Sequence, residues 1–396
     1  MTGPRPLAAV LCACLLGGVA GDAAAADRSV VSRPGTVLVD RAARLGELER
    51  MGPDAQRLCH VGNPEIEPSI PPVLVLDGRA GVDASNALLL PFEWAVAVNG
   101  ADAFAGSVTA QERFLALLTS WAKAGAMTKL LDDVANSNTA VVFGLRRTLA
   151  LLIPNWALAR TAPQVDAADR ALVDQWITQL VALADVNTGG RNRAMRTVNC
   201  PANQDSNNCN YHRYLRDTVN AMWGALSGDE ARLTKAMERV KVALRQMRPD
   251  GSLPLETQRG SRALWHQNYA LGMLIAIAEV AANQGHDLYA LEIDGKNLHK
   301  GVAFLLAATA QPQIVLAYAK ANVRPGPGHD WREQDLRFTE ERGRWHFMAW
   351  TEAYMARFPD HQNTRRLKRL LPSLSEDRPL ISRATGGNAS CFFLRR

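Results

Sequence analysis

Apolar residues return every three or four positions along most of this chain, the spacing of amphipathic helices. Thr109-Ala110-Gln111-Glu112 has the form of a capping box and predicts a helix with Phe114, Leu117, Leu118 and Trp121 on one face. Residues 140–153 are apolar nearly all round, as in an inner helix, whereas 168–184 place Leu172, Trp176, Leu180 and Leu183 on a single stripe. Residues 214–226 continue the alternation. Ser227-Gly228-Asp229-Glu230 is a second capping box, predicting a helix that stops before Pro249-Asp250-Gly251. Further helices are predicted over 268–282, 298–310 and 345–357. Strand-like pieces are short, at 36–39 and 73–76.

Apolar and amphipathic helices joined by short turns predict an all-α domain of stacked hairpins. Packed into a ring, the hairpins would form an α/α barrel or toroid, although periodicity does not show the closure. No linker and no repeat of fixed length divides the chain, so residues 27–396 are expected to be one domain. Residues 53–106 stand apart, rich in Pro, Gly, Asp and Ala with weak periodicity. A wrapped extension held by Cys59 is expected there; a mobile flap carrying Arg79 and Asn86 is the alternative.

The first 26 residues read as an export leader. Arg5 precedes an apolar run from Leu7 to Val19, and Ala23-Ala24-Ala25-Ala26 offers small residues for cleavage. That run is shorter than the roughly 20 residues needed to span a bilayer, and no later segment is expected to insert in a membrane. A periplasmic or secreted protein is therefore expected. Of six cysteines, Cys59, Cys200, Cys209 and Cys391 lie beyond the leader. In an oxidising compartment they suggest two disulfides. Cys200 and Cys209 are near in sequence, which leaves Cys59 to join Cys391. The spacing fits no zinc pattern. A net charge of +6 and a pI near 9.1 suit a polyanionic partner. Without a basic tract or nucleic-acid motif, acidic polysaccharide is favoured over nucleic acid.

Candidate chemistry concentrates between Asn210 and Tyr269. His212 follows a loop that a disulfide would clamp and opens a helix, where backbone N–H groups favour negative charge. Arg262 and Tyr269 are seven residues apart, two helical turns, which returns them to one face. A base, a cation and a phenol suit β-elimination on a uronate. There the C5 proton lies beside a carboxylate that must be neutralised, and O4 must be protonated as it leaves. No metal or organic cofactor is required for this. A structural histidine, a surface arginine and a core tyrosine would give the same spacing.

Taken together, these residues resemble the alginate lyases of polysaccharide lyase family 5. The pieces are His212 and Tyr214, Asp250-Gly251-Ser252-Leu253-Pro254, Glu256, Arg262-Ala263-Leu264 and Asn268-Tyr269-Ala270-Leu271, with Trp350, Glu352 and Tyr354 as a C-terminal element. Trp121-Ala122-Lys123-Ala124 is similar to an earlier family helix. The likeness runs from about Cys59 to Phe358 and is dense only between Asn210 and Leu271.

The resemblance implies an incomplete α/α toroid, a periplasmic address and cofactor-free elimination. It makes Tyr269 the acid and, for one C5 stereochemistry, also the base. It makes His212 the base for the other stereochemistry or a partner of the carboxylate, and Arg262 the residue that tunes Tyr269. Asn210, Tyr211, Tyr214, Arg259, Trp265, His266, Trp121 and Trp350 are the candidate substrate contacts. For the three tryptophans, stacking on sugar faces and filling the core both remain open. Two departures bear on substrate choice. Tyr211 stands where the family has the Asn that neutralises the carboxylate, and His266-Gln267 stand where it has Tyr-His.

The expected function is a polyuronate lyase acting as a monomer, with mannuronate-rich alginate first and a glucuronate polymer second. A non-catalytic polysaccharide-binding protein is the rival. A hydrolase would need paired carboxylates, and nothing in the sequence pairs Asp250, Glu256 and Glu352.

Overall fold

The computed structural model describes residues 29–61, 70–77, 81–130, 138–185, 209–323, 330–342, 345–371 and 379–395, besides residues 1 and 3. The rest of the expected leader, Arg79 and Cys200 lie outside the described residues. The helices in chain order are α1 (Arg41–Met51), α2 (Pro53–Gln56), α3 (Gly81–Phe104), α4 (Val108–Lys123), α5 (Asn138–Ala159), α6 (Ala167–Ala184), α7 (Tyr211–Ser227) and α8 (Glu230–Gln246). They continue as α9 (Pro254–Thr257), α10 (Ala263–Asn283), α11 (Leu298–Ala310), α12 (Gln313–Ala319), α13 (Trp350–Arg357), α14 (Gln362–Leu370) and α15 (Ala389–Phe393). Two-residue strands pair as β1 (Val75–Leu76) with β2 (Lys129–Leu130), β3 (Glu341–Arg342) with β4 (Trp345–His346), and β5 (Ile381–Ser382) with β6 (Gly387–Asn388). Only the first pair is parallel.

Neighbouring helices build two layers. The helices α3, α5, α7 and α10 pack side by side in that order, and α4, α6, α8 and α11 back them from outside. Each inner helix and its outer partner form a hairpin, so the inner helices all start at the same end. The ring is open between α3 and α10. The C-terminal segment fills that gap, with α13 against α10, α15 against α13, and β6 against α3 and α5. The fold is all-α, as the hydrophobic pattern predicts.

Close approach within the inner layer depends on small residues. A Cβ at Gly100 of α3 would stand 2.4 Å from Asn155 Oδ1 of α5, so only glycine lets those two helices touch. Fully buried Phe92, Trp121, Trp156, Leu118 and Ile153 belong to the core these helices share. Each such side chain contributes about 1.5–3 kcal/mol by leaving water.

Several expectations need correction. The N-cap of α4 is Ser107, whose side chain accepts from Ala110 N, and not Thr109. The cap of α8 is Asp229, because Gly228 has already ended α7 in a left-handed conformation at φ +83°. On α6 the buried stripe is Val173, Trp176, Ile177, Leu180 and Val181, with Leu172 and Leu183 at its edges. Helix α13 begins at Trp350, since Trp345 and His346 pair into a strand. Residues 36–39 form no strand. Within 53–106, residues 81–104 are neither coil nor flap but the inner helix α3. Its apolarity on all sides, like that of a fully enclosed helix, hid the helical period. The side chain of Asn86 lies outside the described residues.

Helix α5 also departs from expectation. Val141–Ala159 is long and apolar enough to cross a membrane, yet 94% of that stretch is buried inside the protein. The Cys59–Cys391 disulfide forms as expected, across 332 residues. Cys209 is also disulfide-bonded, and its expected partner Cys200 is outside the described residues.

Candidate active site

The start of α7 is held by groups from four directions. Asn210 caps it, its Oδ1 accepting from His212 N at 3.0 Å. Glu256 of α9 accepts from Tyr211 N at 2.8 Å. Arg146, buried in α5, donates to Ala184 O at 2.8 Å and to His212 O at 3.4 Å. One turn further, the fully buried Asp217 meets Arg213 at 3.1 Å, Arg216 at 3.4 Å and Arg239 at 2.9 Å. These charges tie α7 to α8 and fix where His212 sits.

The start of α10 is braced by its own polar residues. Gln267 accepts from Leu253 N at 2.9 Å and donates to Gly251 O at 3.2 Å, holding the turn that precedes α9. That turn requires glycine at 251, where φ is +96° and a Cβ would lie 2.2 Å from Lys300 O. Asn268 donates to Phe347 O at 3.1 Å and accepts from Trp350 Nε1 at 2.9 Å. The segment from Trp345 to Phe347 is thereby pinned beside Tyr269.

Tyr269 stands on the wall of a cavity of about 140 Å³, lined by Arg147, Trp345, His346, Phe347, Ser382, Arg383 and Ala384. The Arg147 guanidinium shares this wall and acts directly on the phenol. Arg383 arrives on the β5–β6 hairpin and meets the fully buried Glu93 of α3 at 2.5 Å, a charge contact outside hydrogen-bond alignment. Thr148 donates to the other oxygen of Glu93 at 2.7 Å. Burial pushes the Tyr269 phenol above its ordinary value of 10, while Arg147 and Arg383 pull it down and Glu93 pushes it up. The phenol therefore keeps its proton at neutral pH, and two cations stand ready to stabilise its anion. Burial also raises the Glu93 carboxyl, against the pull of Arg383 and Arg147.

On the side of Tyr269 toward α7, Tyr211, His212, His266 and Phe143 gather. Tyr211 lies 4.4 Å from His212, 4.9 Å from His266 and 5.5 Å from Tyr269, ring centre to ring centre. Phe143 lies 4.4 Å from His212 and 6.2 Å from Tyr269. Arg259 sits over the Tyr211 ring at 5.4 Å. The inner helices α7 and α10 both point their N-termini toward this end, and that polarity favours an anion.

Of the residues singled out from sequence, the fold brings His212, Tyr211, Arg259, His266 and Tyr269 together. Trp265 packs on Phe347 at 4.4 Å, at the edge of the same region. Four others serve the framework. Trp121 is fully buried, stacked on Phe92 at 3.9 Å and donating to Ile70 O at 3.0 Å. Trp350 is buried and orients Asn268, Tyr214 is buried, and Asn210 is a helix cap.

Arg262 is not among the largest electrostatic influences on Tyr269, which are Arg147, Arg383 and Glu93. Two helical turns separate the pair by about 10 Å along the axis, and an arginine side chain leans further toward the N-terminus. Arg147 and Arg383 escaped sequence reasoning. Arg146 and Arg147 did leave a signal, a pair of charges inside an apolar helix, where buried charge is rare unless paired. Arg383 left none. Among the described residues no group of three or more His, Cys, Asp or Glu side chains could hold a metal ion.

An incomplete α/α toroid with a tyrosine–arginine pocket at the N-terminal end of its inner helices defines the class. The chain matches the alginate lyase family over residues 93–315, more than half of its 396 residues, and belongs to that family. A polysaccharide lyase of Stenotrophomonas maltophilia (strain K279a) is 28% identical over 185 residues, which span 47% of this chain and 50% of that protein. The chain thus matches half the length of this curated relative. Alginate lyase A1-III of Sphingomonas species A1 shares the fold with a TM-score of 0.72 and 24% identity, over 95% of this chain and 100% of that one. A substituted form of that enzyme complexed with a tetrasaccharide superposes equally well, over 94% and 99%. An alginate lyase from Bacteroides ovatus matches at a TM-score of 0.52 and 17% identity, over 74% and 73%.

Proposed function

We propose that this protein is an exported lyase that cleaves an acidic polyuronate by β-elimination, with mannuronate-rich alginate the first candidate and a glucuronate polymer the second. The observation that carries this reading is the Tyr269 phenol, which shares a cavity wall with Arg147 and Arg383 and touches the ring cluster of Tyr211 and His212. Membership of the alginate lyase family supports it.

In the reaction a base removes the C5 proton, the electron pair moves into the new C4=C5 bond, and the C4–O4 bond breaks. The departing O4 takes a proton and leaves as a hydroxyl on the other fragment. Tyr269 holds a proton at neutral pH, which suits it as the acid at O4. Its ionised form, stabilised by Arg147 and Arg383, serves as base when the proton lies on the same face. His212 is the base for the opposite face. The two arginines also attract the polyanion.

Export is supported by the Cys59–Cys391 bridge and by the disulfide at Cys209, since such bonds persist in oxidising compartments. Under this reading residues 1–26 are the leader and the remainder acts as one domain and a monomer.

The test is the ultraviolet absorbance of mature protein mixed with polymannuronate, polyguluronate, glucuronan, hyaluronan and pectate. New absorbance from an unsaturated uronate, lost in Tyr269→Phe, is the expected result. Silence across the panel with binding to one polymer retained would leave a binding protein instead.

A further inference from the structure

Asn210 cannot supply the amide that the family places immediately before the histidine. It is fully buried as the cap of α7, with its oxygen held by the backbone N–H of His212, so its amide N–H groups are turned away from any bound substrate. The uronate carboxylate thus needs a different donor. Tyr211 occupies the vacated position, its ring between those of His212, His266 and Tyr269. Its hydroxyl makes no hydrogen bond to any described residue.

Behind that ring lies Arg259. This side chain is only 5% exposed, and its Nε and Nη1 are buried with no acceptor among the described residues. A buried guanidinium short of acceptors costs several kcal/mol, a cost that an arriving anion relieves. The cation over the ring also polarises the phenol, strengthening its O–H as a donor.

We propose that Tyr211, backed by Arg259, receives the carboxylate of the uronate whose C5 proton is removed, in place of the family's amide. As that proton leaves, negative charge spreads onto the carboxylate oxygens, where the Tyr211 O–H donates and the Arg259 charge lies close. Burial raises the Tyr211 phenol well above its ordinary range, so it stays a neutral donor and does not repel the substrate. The two phenols then divide the work by environment. Tyr269, beside Arg147 and Arg383, exchanges protons; Tyr211 keeps its own.

This inference rests on the lyase reading, and two measurements keep their failures apart. The first is kinetic, on whichever polyuronate the wild type cleaves. Loss of one donor to a developing oxyanion costs about 10²-fold or more in kcat. Tyr211→Phe should show that loss with KM within about threefold, and Tyr211→Asn should regain about tenfold. Arg259→Met should fall similarly, with Arg259→Lys intermediate. A Tyr211→Phe enzyme within threefold of wild-type kcat would overturn the proposal.

The second measurement is binding by calorimetry in a Tyr269→Phe background, where turnover is blocked. Native oligouronate is compared with the same oligomer after reduction of its carboxyl groups. Adding Arg259→Met should weaken the native oligomer about tenfold and leave the reduced one unchanged. Equal effects on both, or none, would refute the carboxylate assignment. If the wild type yields no unsaturated product, the lyase reading falls while the binding comparison still decides the role of Tyr211 and Arg259.

Discussion

Removing the Cys59–Cys391 bridge tests how the open toroid is held shut. Both cysteines are fully buried, so Cys59→Ala with Cys391→Ala avoids burying hydroxyls. The bond joins positions 332 residues apart. Loop-closure entropy for that span, 2.1 + 1.5R ln 332 cal/mol/K, amounts to about 5.8 kcal/mol at 25 °C as an upper limit. Native-state contacts should survive the change. Asn388 donates to Leu58 O at 2.8 Å, and Arg44 donates to Cys391 O at 3.0 Å and Leu394 O at 2.8 Å, so the tail stays docked without the bond. The effect should therefore act through the unfolded chain, lowering stability by about 3–6 kcal/mol and raising the urea m-value. Activity at 25 °C should change little, because Arg383 remains on its hairpin. Equilibrium urea unfolding of both proteins reads the stability, and mass analysis confirms the bridge in the wild type. A loss below about 1 kcal/mol would refute the reasoning, as would an unchanged m-value combined with abolished activity.

Three further outcomes follow from the site and its support. Arg147→Met should raise the Tyr269 phenol further, because a guanidinium that lowers it is removed. The pH–rate profile of the elimination would show it as an alkaline shift of the limb that requires ionised Tyr269. Asp217→Ala should destabilise by about 3–5 kcal/mol, since Arg213, Arg216 and Arg239 would keep buried charge without its centre; chemical denaturation measures this. Burial raises the Glu352 carboxyl from 4.5 to about 7, opposed by the hydrogen bond from Ser390 and by Arg44. The folded state thus binds the extra proton between pH 4.5 and 7, and stability falls as pH rises through that window, by about 3 kcal/mol in all. Glu352→Gln should flatten that fall in unfolding curves taken at several pH values.

The motif residues divide by what they touch once folded. Trp350, Glu352 and Tyr354 all serve packing. Trp350 orients Asn268, Glu352 accepts from Ser390 at 3.2 Å, and Tyr354 joins His299 at 2.7 Å and Asn363 at 3.1 Å. A motif read along the chain cannot separate such supports from groups that face a substrate. Both kinds are constrained, one by the core and the other by the chemistry.

Local pattern alone determined the all-α class, most of the helices, the Cys59–Cys391 pairing and the neighbourhood of His212 and Tyr269. These rest on contacts between near neighbours, or on a small set of cysteines with few ways to combine. Tertiary structure decided the rest. It placed Arg147 and Arg383 beside the phenol, because α5 and a C-terminal hairpin converge there from distant parts of the chain. It turned residues 81–104 into an inner helix, since a segment that is apolar nearly all round carries no polar face to mark its period. It assigned Asn210 to a helix cap and left Tyr211 at the pocket, where one step along the chain turns a side chain from the backbone toward the site.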